Sequence, residues 1–186
     1  MRAARFKRET KETRVEVEVC IDGRGRCRVS TTVPLLDHML STLCVHSHLD
    51  LSVEARGDLV HHIVEDTSIA LGKAIGEALG DRSKLRRFGY ARAPMDEALA
   101  EAAVDLATRP YAVVDLKAES VEGVEGALLS HFISSLAFNI PATIHVSVVY
   151  GYSSHHKVEA AFKALALALR EAWALTEYTA STKGVC

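Results

Sequence analysis

The stretch RVEVEVCI (Arg14 to Ile21) alternates apolar and polar residues, the period of a half-buried strand, and DGRG then supplies turn chemistry before a second strand-like run, RCRVSTTV. Pro34 opens PLLDHMLSTLCVHSH, in which apolar residues recur at helical spacing. LDLSVEARG reads as another strand, and VEDTSIALGKAIGEALG as an amphipathic helix ended by Gly80. The order then recurs: strand YAVVDLKAE, helix EGALLSHFISSLAFN, strand ATIHVSVVYG, helix HHKVEAAFKALALALREAWAL. Between the two series, RFGYARAPMDEALAEAAVDLATR reads mainly as strand with a turn at Ala93-Pro94.

The recurrence extends to the letters. LLDHMLSTL (Leu35 to Leu43) lines up with LLSHFISSL (Leu128 to Leu136) at an offset of 93, with five of nine positions identical, His38 with His131 among them. GDLVHHIVE (Gly57 to Glu65) lines up with GYSSHHKVE (Gly151 to Glu159) at an offset of 94. Two independent matches at nearly one offset indicate duplication. The expected fold is therefore α+β and internally duplicated. It comprises two similar halves, 1–92 and 93–186, each a mixed β-sheet with helices packed on one face, together forming one compact domain.

Composition narrows the function without choosing it. Hydrophobic residues make up 48% and charged residues 25%, which excludes general disorder. A formal charge of -2 gives no electrostatic case for nucleic acid or an anionic membrane, and no run approaches a membrane-spanning length, so the cytoplasm is the expected location. Cys20, Cys27, Cys44 and Cys186 are scattered without a CxxC pair and read as reduced thiols. Histidine is the unusual residue: seven of nine fall at His38, His46, His61, His62, His131, His155 and His156, in segments that correspond between the halves.

On a helix, His61 and Glu65 stand at i and i+4, and His62 and Glu65 at i and i+3, whereas adjacent histidines diverge by about 100°. HHxxE thus suits two separate ions better than one chelate. His155, His156 and Glu159 repeat the pattern, and His38 with His131 brings the set to six imidazoles and two carboxylates, enough for two ions with four protein ligands each. Without a thiolate, the set suits Mn(II), Fe(II), Zn(II) or Ni(II), and octahedral ions would keep open positions for a substrate. A single HHxxE is more often a surface pattern than a metal site. Its recurrence together with an upstream helix histidine favours metal binding.

These residues also carry a resemblance. RETKET (Arg8 to Thr13), LLDHML, GDL with HHIVED, RRFGYARAPMDEAL, TRP, HHKVEAAFKA and STKG are similar, in order, to the imidazoleglycerol-phosphate dehydratases, over nearly the whole chain. The resemblance implies a lyase of histidine biosynthesis that dehydrates imidazole glycerol phosphate to imidazole acetol phosphate with Mn(II), two ions per active site. It implies metal ligands at His38, His61, His62, Glu65, His131, His155, His156 and Glu159. It further implies phosphate contacts at Arg87, Arg109 and Lys163 and in the loop of Ser181, Thr182 and Lys183, a substrate contact at His46, and an acid–base role for Glu12, with Glu9 as its competitor in the segment. Assembly is implied too: a homo-oligomer of 24 chains whose sites are shared between subunits.

The chain departs from the family pattern. The usual lead-in to the first histidine pair is longer and more acidic, with Thr where Ile63 stands, and the second motif has Ser153 in place of Asn. These changes bear on ligand orientation and substrate contacts rather than on the ligands. Two other functions share some of the features. One is a dinuclear hydrolase of phosphate esters, which would release inorganic phosphate. The other is metal storage or metal-driven assembly, which would be inert towards imidazole glycerol phosphate.

Overall fold

A computed structural model of the chain describes residues 1–177. Two four-stranded sheets are built on one plan. The first half runs β1 (Ala3–Glu9), β2 (Thr13–Cys20), β3 (Cys27–Ser30), α1 (Pro34–Ser47), β4 (Asp50–Gly57) and α2 (Val60–Leu79). The second runs β5 (Phe88–Met95), β6 (Ala98–Asp105), β7 (Tyr111–Asp115), α3 (Gly126–Asn139) after a small hairpin of β8 (Ser120–Val121) and β9 (Val124–Glu125), then β10 (Thr143–Tyr150) and α4 (Ser154–Ala172). Strand orders β1-β2-β4-β3 and β5-β6-β10-β7 correspond position for position, each ending in a parallel pair. The division at residues 92 and 93 falls inside β5, so the second copy begins with that strand at Phe88.

The helices lie on the inner faces of the sheets, and each half borrows from the other. α2 covers β1 and β2, α4 covers β5 and β6, while α1 packs on α4 and α3 packs on α2. Inward residues of the alternating strands, such as Val15, Val17, Val53, Val104, Ile144 and Val146, join Leu36, Met39, Ile75, Phe132 and Phe162 of the helices in one continuous core. Close approach of α2 and α3 depends on Gly72, where a Cβ would stand 2.5 Å from the Cβ of Asn139. The outer faces differ. Arg5 pairs with Glu16 and Glu18 on the first sheet, whereas Phe88, Tyr90, Tyr111 and Val113 are exposed on the second.

One strand went unread in the sequence: β1, Ala3–Glu9, pairs antiparallel with β2 from Ala3↔Cys20 to Glu9↔Arg14. Two expectations need correction. The turn placed at Ala93-Pro94 lies instead at Asp96 and Glu97, with Asp96 at φ 46°, and Pro94 sits within β5. β5 is an edge strand, where a residue without an N–H costs no ladder bond if it faces outward.

Nor are all the cysteines thiols: Cys27 on β3 and Cys44 on α1 form a disulfide, with Cα atoms 6.1 Å apart, and Cys20 is free. The pair comes together because the short edge strand packs against the helix, which residue spacing alone does not reveal. A bridge between residues 17 positions apart removes loop entropy from the unfolded chain worth about 3 kcal/mol. Cys27→Ser should lower the thermal midpoint in non-reducing buffer by several degrees. Dithiothreitol should lower the wild-type midpoint similarly and leave the variant unchanged, both read by calorimetry.

Candidate metal centre

The histidines cross between the halves. His38 of α1 lies 3.2 Å, Nε2 to Oε2, from Glu159 of α4, and His155 Nε2 is 3.3 Å from the same oxygen. The His38 and His155 rings stack with centroids 5.5 Å apart, and ligand atoms of the three residues lie within 4.8 Å of one another. In the counterpart group, Glu65 of α2 has His61 at 3.6 Å and His131 of α3 at 3.5 Å, with the two rings stacked at 6.1 Å. Each HHxxE helix thus takes its third donor from the other half of the chain, as the packing of α1 on α4 and of α3 on α2 requires.

Two imidazoles and a carboxylate make a donor set that suits a borderline divalent ion. Glu159 is buried, and burial opposes its ionisation. Hydrogen bonds from Lys163 (Nζ to Oε1, 2.9 Å) and His38 outweigh that cost and hold its carboxyl below the ordinary range. The anionic form that a cation needs is therefore the form this site favours.

The second histidine of each pair points elsewhere, as divergence around a helix demands. His62 stands edge-on to His61 at 81° and His156 edge-on to His155 at 86°. His62 Nδ1 meets Asp58 Oδ1 at 2.7 Å and lies 3.9 Å from Glu12. His156 Nδ1 meets Glu97 Oε2 at 2.7 Å, with Asp96 3.7 Å from its Nε2. The Asp58 hydrogen bond raises the proton affinity of His62, and the Glu97 bond that of His156. Glu97 also accepts from the backbone N–H groups of Ser153 (2.7 Å) and Tyr152 (3.1 Å), and these bonds with His156 pull its carboxyl down to about 2.

The departures from the family pattern find their places here. The short lead-in puts Asp58 one helical turn before His62, so it supplies the orienting carboxylate. Ile63 is buried beside Gly57, where a Cβ would meet Ile63, Thr13 and the Glu12 carbonyl at about 3 Å. That close approach lets Asp58 N–H donate to the Glu12 carbonyl (3.1 Å) and seats the β1–β2 turn against α2. Ser153 caps α4, its hydroxyl accepting from His156 N–H. Asp66, the last residue of HHIVED, is buried and accepts from Arg8 Nε at 2.7 Å and from the Thr13 hydroxyl, pinning the hairpin that carries Glu12.

Among the remaining candidates, Lys163 and His46 lie beside the Glu159 group. Burial lowers the proton affinity of His46, and the nearby Lys163 charge adds to the effect. Glu9 pairs with Lys7 at 2.7 Å and is not brought to the histidines by any contact. Arg87 and Arg109 sit at the opposite end of the second sheet from the Asp96–Glu97 turn, a strand length of about 25 Å. Arg87 is bidentate on Asp105, at 2.7 and 3.2 Å, and stacks over Phe88. Ser181, Thr182 and Lys183 lie outside the described residues. Asp58 and Glu97 were not singled out from the sequence, although both belong to the quoted motifs GDL and PMDEAL. A carboxylate one helical turn before His62 is the local signal that would have found the first of them.

Comparisons with known proteins identify the family and the fold. The model of the family described as imidazoleglycerol-phosphate dehydratase matches residues 31–169. The imidazoleglycerol-phosphate dehydratase of Methanosarcina mazei is 47% identical over 99% of this chain and 99% of its own. That of Methanothermobacter thermautotrophicus is 50% identical over 92% of this chain and 91% of its own. The crystal structure of the Pyrococcus furiosus enzyme in complex with (S)-C348 superposes with a TM-score of 0.87 at 41% identity, covering 97% of this chain and all of that one. The Staphylococcus aureus imidazoleglycerol-phosphate dehydratase gives 0.84 at 32% identity, covering 94% and 99%.

Proposed function

The chain belongs to the imidazoleglycerol-phosphate dehydratase family, a hydro-lyase family of histidine biosynthesis, and from that membership we propose how its own residues carry the reaction. The substrate is imidazole glycerol phosphate and the product imidazole acetol phosphate. The observation that carries the reading is the crossed pair of His–His–Glu groups, His38, His155 and Glu159 against His61, His131 and Glu65. Each group would hold one Mn(II) through three donors, and His62 and His156, each turned away from its own group, would supply the fourth to the sites of neighbouring chains. Two ions would serve each active site and would supply Lewis acidity towards the imidazole and hydroxyl of the substrate.

The protein's remaining work is proton transfer and phosphate binding. The carbon that loses its proton has no adjoining carbonyl, so a positioned base is needed, and a proton must reach the departing hydroxyl. Glu12 takes this role: it is exposed at the β1–β2 turn, 3.9 Å from His62, and its segment is fixed by Asp66 and Gly57. Glu9, drawn to Lys7, has no such placement. Lys163 and His46 border the Glu159 group and meet the substrate. Arg87, just before β5, and Arg109, between β6 and β7, reach the phosphate bound at a neighbour's site, together with Ser181, Thr182 and Lys183.

Sharing of sites in this way implies a large symmetric homo-oligomer, of 24 chains by family resemblance. The exposed Phe88, Tyr90, Tyr111 and Val113 offer apolar area for such contacts. The cytoplasm is the proposed location, since the reaction serves amino-acid biosynthesis; among the described residues no helix is long and apolar enough to cross a membrane. Treatment with a chelator should abolish conversion of imidazole glycerol phosphate to an enolisable ketone that retains its phosphate, and Mn(II) should restore it. Release of inorganic phosphate would favour a phosphate-ester hydrolase instead. A metal-loaded protein inert towards this substrate would favour storage.

A further inference from the structure

The duplication places one glutamate at equivalent points of both halves. Glu12 immediately precedes β2 and Glu97 immediately precedes β6, each in the turn of its half's first hairpin. Each also faces Nδ1 of the second histidine of the HHxxE motif packed beneath that hairpin. Yet the two carboxylates are used differently. Glu97 accepts from His156 Nδ1 at 2.7 Å and from the N–H groups of Tyr152 and Ser153, so both its oxygens are engaged. Glu12 stands 3.9 Å from His62, beyond hydrogen-bond distance, because Asp58 already holds that nitrogen at 2.7 Å.

The hairpins are anchored differently as well. Asp66 ties the first to α2 through Arg8 and Thr13, while the matching position after the second HHxxE is Ala160, which has no polar side chain. In the second half, Glu97 is the carboxylate that ties the hairpin turn to the start of α4.

We propose that the repeat has divided one ancestral carboxylate position into two roles: Glu97 is a positioning residue that fixes the orientation and tautomer of His156 as a metal donor, while in the first half Asp58 holds His62 and Asp66 holds the hairpin, which leaves Glu12 free for proton transfer. The proposal rests on the metal reading given above. A carboxylate on Nδ1 requires the ring proton there and leaves the Nε2 lone pair for a metal, the arrangement that orients histidine ligands generally. Glutamine at position 97 would keep its carbonyl oxygen on the Tyr152 and Ser153 N–H groups and so present its NH2 to His156. A donor facing Nδ1 selects the opposite tautomer, whose proton occupies the metal-facing nitrogen.

The test is Mn(II) affinity, by titration followed with electron paramagnetic resonance, on the metal-stripped full chain and its variants. Glu97→Gln and Asp58→Asn should each weaken Mn(II) binding about 10–100-fold. Glu97→Asp should recover part of the loss, and Glu12→Gln should bind Mn(II) as the wild type does. Wild-type affinity in Glu97→Gln, or a loss in Glu12→Gln equal to that in Glu97→Gln, overturns the division of roles while leaving the metal reading intact. A wild-type chain that takes up no Mn(II) overturns both.

Discussion

Glu12→Gln should reduce turnover about 10²–10⁴-fold, the usual contribution of a positioned acid or base, with both Mn(II) ions retained. The substitution is isosteric and removes only the group that accepts and returns a proton. No structural loss accompanies it, because the Glu12 side chain is exposed and the segment is held by its backbone. The Glu12 carbonyl accepts from Asp58 N–H, and its N–H donates to the Thr10 hydroxyl. Steady-state turnover beside metal analysis of the same sample makes the measurement. Full turnover with metal bound would remove Glu12 from the chemistry and return attention to Glu9.

The second large effect separates the two His–His–Glu groups. Glu65→Gln and Glu159→Gln should each weaken one Mn(II) site by at least about 100-fold, more than loss of an orienting partner costs, and turnover should fall towards background in both. Their stabilities should differ. Glu65 is 38% exposed and has only histidines for partners, so the metal-free Glu65→Gln chain should melt close to the wild type. Glu159 is buried and ion-paired with a largely covered Lys163, and neutralising it leaves a cation short of its partner. The metal-free Glu159→Gln chain should lose roughly 1–3 kcal/mol of stability, read by urea unfolding. Equal stability in the two variants would show that Lys163 has a sufficient alternative in Met95 Sδ, 3.0 Å away.

Much of this arrangement was legible in the residues. Helices beginning at Pro34, ending at Gly80 and carrying HHIVED and HHKVEA follow from apolar spacing and turn chemistry, and the repeat predicts two matching sheets. β1 was not legible because only Ala4 and Phe6 are apolar on its inward face, too few to mark a period among arginines and lysines. Pro94 suggested a turn, but an edge strand tolerates it and the chain reverses two residues later. The eight candidate ligands stood out as a set, whereas the way six of them come together was not legible. Sequence correspondence links His38 to His131, and only the packing of α1 against α4 and of α3 against α2 decides that each joins the motif of the other half. The Cys27–Cys44 bridge escaped for the same reason, since both partners are placed by tertiary packing of an edge strand on a helix.

Two metal ions per chain is the central claim, and equilibrium dialysis of the stripped protein against Mn(II), with turnover assayed at each point, tests it most directly. The crossed groups predict binding that saturates at two ions per chain, with turnover appearing as the second ion enters. Full turnover at one ion per chain, or without metal, would contradict it.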